Sequence, residues 1–177
     1  MNALIRTQAV RFGTIGGGIA VAYSLIAYLA APSLFTNTWL GIALILVYLG
    51  ILIYAGIDTR KKMGGYISFR EAFSTVFLSG VIMSLVNVVF SILLFGVIDT
   101  EFAAMLNEMV IEKAVEMSER FGAPPSQIET MVTQMQENPQ FSVMNQAKGF
   151  VYGLIFYAVL AAVIGALIKK NKPEFEA

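Results

Sequence analysis

The sequence predicts an all-α integral membrane protein: a bundle of four transmembrane helices with an extracytoplasmic amphipathic helical hairpin between spans 3 and 4. Three observations carry this. Hydrophobic residues make up 57% of the 177 and charged residues 14%, with a mean hydropathy of +0.72. A soluble core of this length does not hide so much apolar surface. The apolar residues are gathered into four runs of membrane-spanning length. Lysine and arginine gather at one set of run ends, as they do on the cytoplasmic side of a membrane.

The first run extends from Phe12 to Ala31, after a basic lead containing Arg6 and Arg11. A signal peptide shares that order of features, but its apolar core is shorter, and here a second span follows almost at once. Gly13 and Gly17 form a G-x-x-x-G pair that lets two helix backbones approach closely. Pro32 to Thr38 is a short uncharged turn. Trp39 then opens the second run, to Ile57, as an interfacial aromatic. Arg60, Lys61, Lys62, Gly64 and Gly65 end it. Ser68 and Glu71 make an S-x-x-E capping box, which starts the third helix near Phe69.

The third run, Ala72 to Ile98, contains no charged residue and would make a helix about 40 Å long. Gly80, Ser84, Asn87 and Ser91 recur on one of its faces at steps of four, three and four. Lipid tails offer an amide no partner, so this stripe should face other protein or a cavity, with the first or fourth span opposite it. Asn87 then makes an interhelical hydrogen bond, worth about 1 kcal/mol.

From Thr100 to Asn138 the pattern becomes amphipathic. Phe102, Leu106, Met109, Val110, Met117 and Phe121 share one helical face, and Glu101, Glu108, Glu112, Glu116 and Glu119 the other. Gly122 and two prolines break the helix, and a second capping box, Ser126 to Glu129, starts a short partner helix. Asn138-Pro139 ends it. The expected arrangement is a lid with Met109, Met117, Phe121, Met131 and Met135 turned down onto the bundle. The last helix begins near Phe141. Its span runs from Gly149 to Ile168, with Gly149 and Gly153 as another close-approach pair, and three lysines close it. The whole, residues 1–177, reads as one membrane domain.

One set of ends holds Arg6, Arg11, Arg60, Lys61, Lys62, Arg70, Lys169, Lys170 and Lys172. The other holds only Lys113, Arg120 and Lys148, among eight acids. The positive-inside rule then puts both termini in the cytoplasm and the hairpin outside. Cysteines introduced at Gln8, Glu119 and Glu174 of this cysteine-free chain should label from outside only at Glu119.

Two spans, the basic loop G-G-Y-I-S-F-R-E-A-F from Gly64 to Phe73, a long third span, a helical pair ending in N-P and a last span closed by lysines form a recognisable layout. It resembles an uncharacterised bacterial family of four-span membrane proteins, domain of unknown function 4199, over nearly the whole chain. The resemblance implies four spans and an inner-membrane location. It carries no catalytic residues with it.

The chemistry is sparse. There is no histidine and no cysteine, which removes the commonest general base, metal ligand and thiolate nucleophile. No Asp, Glu, Lys, Arg or His lies inside the four runs, which argues against an ion-coupled pump. Lys148 is placed to pair with Asp99 or Glu101. The chain thus reads as non-enzymatic, without cofactor, metal or nucleic acid. Its partners are membrane lipids and, in one reading, another membrane or envelope protein; the oligomeric state is left open. Two functions fit. One is an interaction or scaffold subunit. The other is a lipid-binding or uncoupled lipid-transport protein with a groove along span 3. The candidate contacts are Ser84, Asn87, Ser91, Met109, Met117, Met131 and Met135, and for anionic lipid Arg60, Lys61, Lys62 and Arg70.

Overall fold

The computed structural model describes residues 2–172. Helix α1 spans Ala3–Ala30 and is followed by a short 3-10 turn, Pro32–Thr36. Helix α2 spans Thr38–Lys62, and α3 spans Phe69–Leu93 and continues through a π-helical turn, Leu94–Ile98. Helices α4 (Thr100–Arg120) and α5 (Pro125–Glu137) precede α6, Val143–Ile168. Four of these, with α3 counted through its π turn, are long and apolar enough to cross a membrane.

The helix ends follow from local chemistry. Asn2 caps α1 through its side chain, so that helix starts nine residues before the apolar run. The capping box at α3 forms as expected: the Glu71 amide donates to Ser68 Oγ at 3.3 Å, and the Ser68 amide donates to Glu71 Oε2 at 2.9 Å. The Ser126–Glu129 box does not form. Pro124 takes the cap position with no side-chain bond, and Pro125 occupies the first turn, where its fixed φ already suits a helix. Gly64, Gly65 and Gly122 have φ of 77°, 90° and 74°, the left-handed region that lets a chain leave a helix without a Cβ clash.

Helix α3 is the middle of the bundle. Helices α1 and α6 each pack along it and form no extended contact with one another. Helix α1 lies close because it has no side chains in the way. A Cβ on Gly13 would stand 2.6 Å from Ile82 Cβ, and one on Gly17 2.7 Å from Val86 Cβ. The G-x-x-x-G reading of span 1 therefore holds. That of span 4 does not: nothing lies within 4 Å of a Cβ on Gly149, and on Gly153 the nearest atom is Ser84 Oγ at 3.9 Å. The close contacts of α6 lie elsewhere, at Gly165 against the Phe73 backbone and where the Tyr157 ring covers Gly80.

Two apolar clusters hold the ends. At the basic end Leu52, Ile67, Ala72, Val76, Ala161, Ile164 and Ile168 join α2, α3 and α6. Helix α2 buries only its second half, from Leu52 onward, and its first half exposes Leu40, Ile42, Ile45, Leu46 and Val47. At the hairpin end Leu94, Phe95 and Leu106 are buried among Tyr28, Phe35, Phe90, Phe102, Met109 and Phe141. Phe95 stacks on Phe102 and meets Phe35 and Phe141 edge-on. Tyr28 donates its hydroxyl to Asp99 Oδ2 at 2.9 Å.

This anchoring corrects the lid. Helix α4 is held through Leu106 and its first half, while α5 buries no residue and packs chiefly on α4. Phe121 is 85% exposed and Met117 45%. Met109 alone of the five expected inward residues joins the buried cluster. Met131 accepts a hydrogen bond from Ser118 Oγ within the pair itself. The aromatic residues of α1, the 3-10 turn and the π turn occupy the place that the methionines were expected to fill. Asp99 is likewise spent on Tyr28 and on capping α4 through the Phe102 amide, and no ion pair joins it to Lys148 among the described residues.

Candidate functional site

The buried hydroxyls of the basic half satisfy themselves. Thr59, Thr75 and Ser79 each donate to the carbonyl four residues earlier, which leaves their helix faces effectively apolar. One turn further along α3 this stops. Ser84, Asn87 and Ser91 are half-buried, and among the described residues their side chains make no hydrogen bond. The expected interhelical bond from Asn87 is absent, because the facing stretch of α6 carries Gly149 and Gly153 and leaves a gap.

That gap is a groove of about 330 Å³ between α3 and the start of α6. Ser84, Asn87, Val88 and Ser91 form one wall; Asn145, Gln146, Gly149 and Phe150 form the other; Gln140 and Phe141 close the top. The polar part of the stripe thus faces the fourth span across open space, while Gly80 is covered by the Tyr157 ring of that span. A second hollow of about 390 Å³ shares Gln140, Asn145 and Gly149 and adds Asn107, Met135, Asn138, Lys148 and Tyr152. Carboxamide side chains recur in both linings, beside Met135 and Tyr152 in the second, and neither lining holds a carboxylate.

Its level is set by α6. Asn145, Gln146 and Lys148 occupy the first two turns, and from Phe150 to Ile168 no charged residue interrupts the helix. The groove therefore straddles the height at which this helix passes from polar to apolar surroundings. Helix N-capping by Ser142 and the turn at Asn138-Pro139 fix the polar turns there: Ser142 Oγ accepts from the Asn145 amide, and Asn107 Oδ1 accepts from the Gln140 amide at 3.0 Å.

The expected contacts divide. Ser84, Asn87 and Ser91 line the first groove and Met135 the second hollow. Met109 is in the aromatic cluster, Met131 sits against Ser118, and Met117 lies beside Trp39 and Phe121 in a separate hollow. The sequence reading missed the α6 wall, although Asn145, Gln146 and Gly149 stand out as polar or small residues at the mouth of an apolar helix. On α4, Lys113 donates to Glu116 and, with Arg120 on the other oxygen, holds that carboxyl below the usual carboxylate range. This is a solvated ion-pair ladder rather than a metal site.

The four cations assigned to anionic lipid also divide. Arg60 donates from Nη1 to the Ile168 carbonyl at 3.1 Å and so caps α6. Lys62 pairs with Asp58 at 2.8 Å. Lys61 and Arg70 are exposed. Asp58 also accepts from Gln8 Nε2 at 2.6 Å, and Arg11 stands 3.9 Å away, which clasps α1 to α2. Paired backbone bonds between Ile67 and Lys170, at 2.8 and 2.9 Å, fasten the α2–α3 loop to the end of α6. The basic end is in this sense a lock as well as a charged surface.

Residues 11–170 match the model of a family described as protein of unknown function (DUF4199). The chain belongs to that family. No curated protein and no solved structure matches it. Membership is thus established over nearly the whole described chain, and the groove is a feature of a DUF4199 fold whose activity the family description leaves open.

Proposed function

We propose that this chain is a non-enzymatic lipid-binding protein of the bacterial inner membrane, and that the α3–α6 groove receives a phospholipid headgroup from the outer leaflet. One observation carries the reading: Ser84, Asn87 and Ser91, whose side chains make no hydrogen bond among the described residues, line an open groove that runs from the middle of span 3 up to the polar first turns of α6. Unpaired polar groups next to hydrocarbon are costly, and a headgroup sliding in from the bilayer supplies both partners and acyl chains compatible with the surrounding α3 and α6 surface. Val151, Ile155 and Phe156 on α6 are exposed, as is Leu85 on α3, so the groove has an apolar apron.

Asn87→Leu tests it. Since Asn87 holds no other helix, stability in detergent should change by less than about 0.5 kcal/mol. Lipid co-purifying with the protein, counted by native mass spectrometry, should fall. A stability loss of 1 kcal/mol or more with lipid unchanged would return Asn87 to a structural role.

The interaction-subunit reading is supported by a different observation. Trp39 and Phe121 are 81% and 85% exposed and share a hollow of about 480 Å³ with Lys113 and Arg120. A stoichiometric protein partner lost on Trp39→Ala, with lipid retention intact, would favour it.

Both readings take the hairpin as extracytoplasmic and both termini as cytoplasmic, on the nine-to-three division of cations. The labelling sites need revision for this. Gln8 is buried on Asp58, and Glu174 lies outside the described residues. Thr7, Glu119 and Asn171 are exposed. Of single cysteines at these three positions, only that at Glu119 should react with an impermeant reagent in intact cells, and reaction at Thr7 would reverse the topology.

A further inference from the structure

Helix α4 runs across the end of the bundle and does not stand upright on it. It starts at Thr100, directly after the π turn that ends span 3, and packs chiefly on that turn, on the 3-10 turn between α1 and α2, and on α5. At its far end Met117, Arg120 and Phe121 line a hollow with Asn37, Thr38 and Trp39, where α2 opens. A helix of 21 residues is about 30 Å long. Standing along the membrane normal, α4 would carry Phe121 that far above the spans and out of reach of Trp39. Both of its ends therefore lie at the level where spans 2 and 3 leave the bilayer, and the helix follows the membrane surface.

One of its faces points down. Leu106, Val110, Lys113, Met117 and Phe121 recur at steps of four, three, four and four, which is one helical face. That face is buried on the bundle at Leu106, half-buried at Val110 and Lys113, and exposed at Met117 and Phe121. It rests on the bundle and then overhangs the edge. Glu101, Glu108, Glu112 and Glu119, at steps of seven, four and seven, lie on the opposite side. Beneath the overhang, Trp39, Leu40, Ile42 and Ile45 of α2 are exposed, and on a membrane span such a surface meets acyl chains.

We infer that the overhang is covered by lipid of the leaflet on the hairpin side, the outer one in the topology proposed above. Phe121 and Met117 enter the boundary between headgroups and acyl chains beside Trp39, as the apolar face of an interfacial helix does. Lys113 and Arg120, the two cations of α4, both line the hollow and meet lipid phosphates. Glu116 takes one contact from each; two cations against one carboxylate leave the trio positive, and an ammonium with three N–H groups and a guanidinium with five keep donors to spare. A lipid surface matches both halves of this pattern, since it is apolar below and phosphate-bearing above, and it is continuous with the lipid-facing side of α2. The contact shares no residue with the α3–α6 groove, and it leaves the Phe95 cluster that holds the pair untouched.

Spin labels read the depth. The chain has no cysteine, so Met117→Cys and Glu119→Cys each take a single nitroxide in the full-length protein, purified into nanodiscs of phosphatidylethanolamine and phosphatidylglycerol. The label at 117 should be relaxed more by oxygen, which concentrates in lipid, than by a water-soluble nickel chelate, and the label at 119 should show the reverse order. Adding Phe121→Asp, or Lys113→Glu with Arg120→Glu, should turn the order at 117 to that at 119. Adding Asn87→Leu should leave it as it is, so this contact and the groove stand or fall separately. Greater nickel than oxygen relaxation at both sites would put the tip in water and overturn the inference. Shielding at 117 seen only in native membranes would assign the hollow to a protein partner instead. Dipolar broadening at 117 that vanishes on dilution with unlabelled protein would assign it to a second copy of this chain.

Discussion

Replacing Gly13 and Gly17 together with alanine is expected to unseat α1 from α3 and to lower the thermal unfolding temperature in detergent more than any polar substitution discussed above. Both new methyl groups would meet rigid atoms. At Gly13 these are Ile82 Cβ at 2.6 Å and the Ser79 carbonyl at 2.9 Å; at Gly17 it is Val86 Cβ at 2.7 Å. Branched side chains do not swing aside at Cβ, so the helices must separate, at about 1–3 kcal/mol per site. Packing is the main force between helices in a membrane, where no hydrophobic effect brings them together. Gly18→Ala is the control, because nothing lies within 4 Å of its Cβ position. Gly16→Ala should be milder than Gly13→Ala, since the obstruction there is the flexible end of Met83. Equal melting temperatures for Gly18→Ala and the double variant would mean that α1 does not pack on α3 through this face.

The same glycines show what the sequence made legible and what it did not. Span number, the Ser68–Glu71 cap and the glycine stops could be read locally, because helix length and capping depend on neighbours in the chain. The clasp at Asp58 was half-visible, as its i,i+4 partner is Lys62 but Gln8 and Arg11 come from another helix. Which face of each span meets protein was not legible from periodicity, since lipid and protein interior are equally apolar to a side chain. Gly13–Gly17 and Gly149–Gly153 look alike in sequence. The first pair meets α3, and the second leaves the groove open. The polar stripe was found because Asn87 breaks that equivalence. Its facing wall was missed because polar residues such as Asn145 and Gln146 just before a span are what any helix shows where it enters a membrane.

The hairpin end failed for a related reason. Amphipathic spacing gave α4 and α5 correctly as helices and then assigned their apolar face to the bundle. Yet Tyr28, Phe35, Phe95, Phe102 and Phe141 come from five separate segments, and no local pattern announces that they meet.

Phe95→Ala should therefore release α4 and α5 while the four spans stay assembled. Phe95 is 4% exposed and touches the rings of Phe35, Phe102 and Phe141, with centroids 5.8, 6.1 and 5.1 Å away. Truncating a buried phenylalanine costs about 3–5 kcal/mol, and it also removes aromatic pairings worth about 0.5–1.5 kcal/mol each. The loss falls on a segment with little else to hold it. Leu106 is the one fully buried side chain of α4, and α5 has none. The core of α2, α3 and α6 at the basic end contains none of these residues. Hydrogen exchange should accordingly rise through residues 100–137 and remain slow at Leu52, Val76 and Ile164. Cleavage by trypsin after Lys113 or Arg120 should quicken. Phe121→Ala and Met117→Ala remove side chains that are 85% and 45% exposed and should leave both measurements unchanged. If Phe121→Ala loosened the pair as much as Phe95→Ala, the apolar tip would be docked after all, and the hairpin would be the inward-facing lid that its amphipathic spacing suggests.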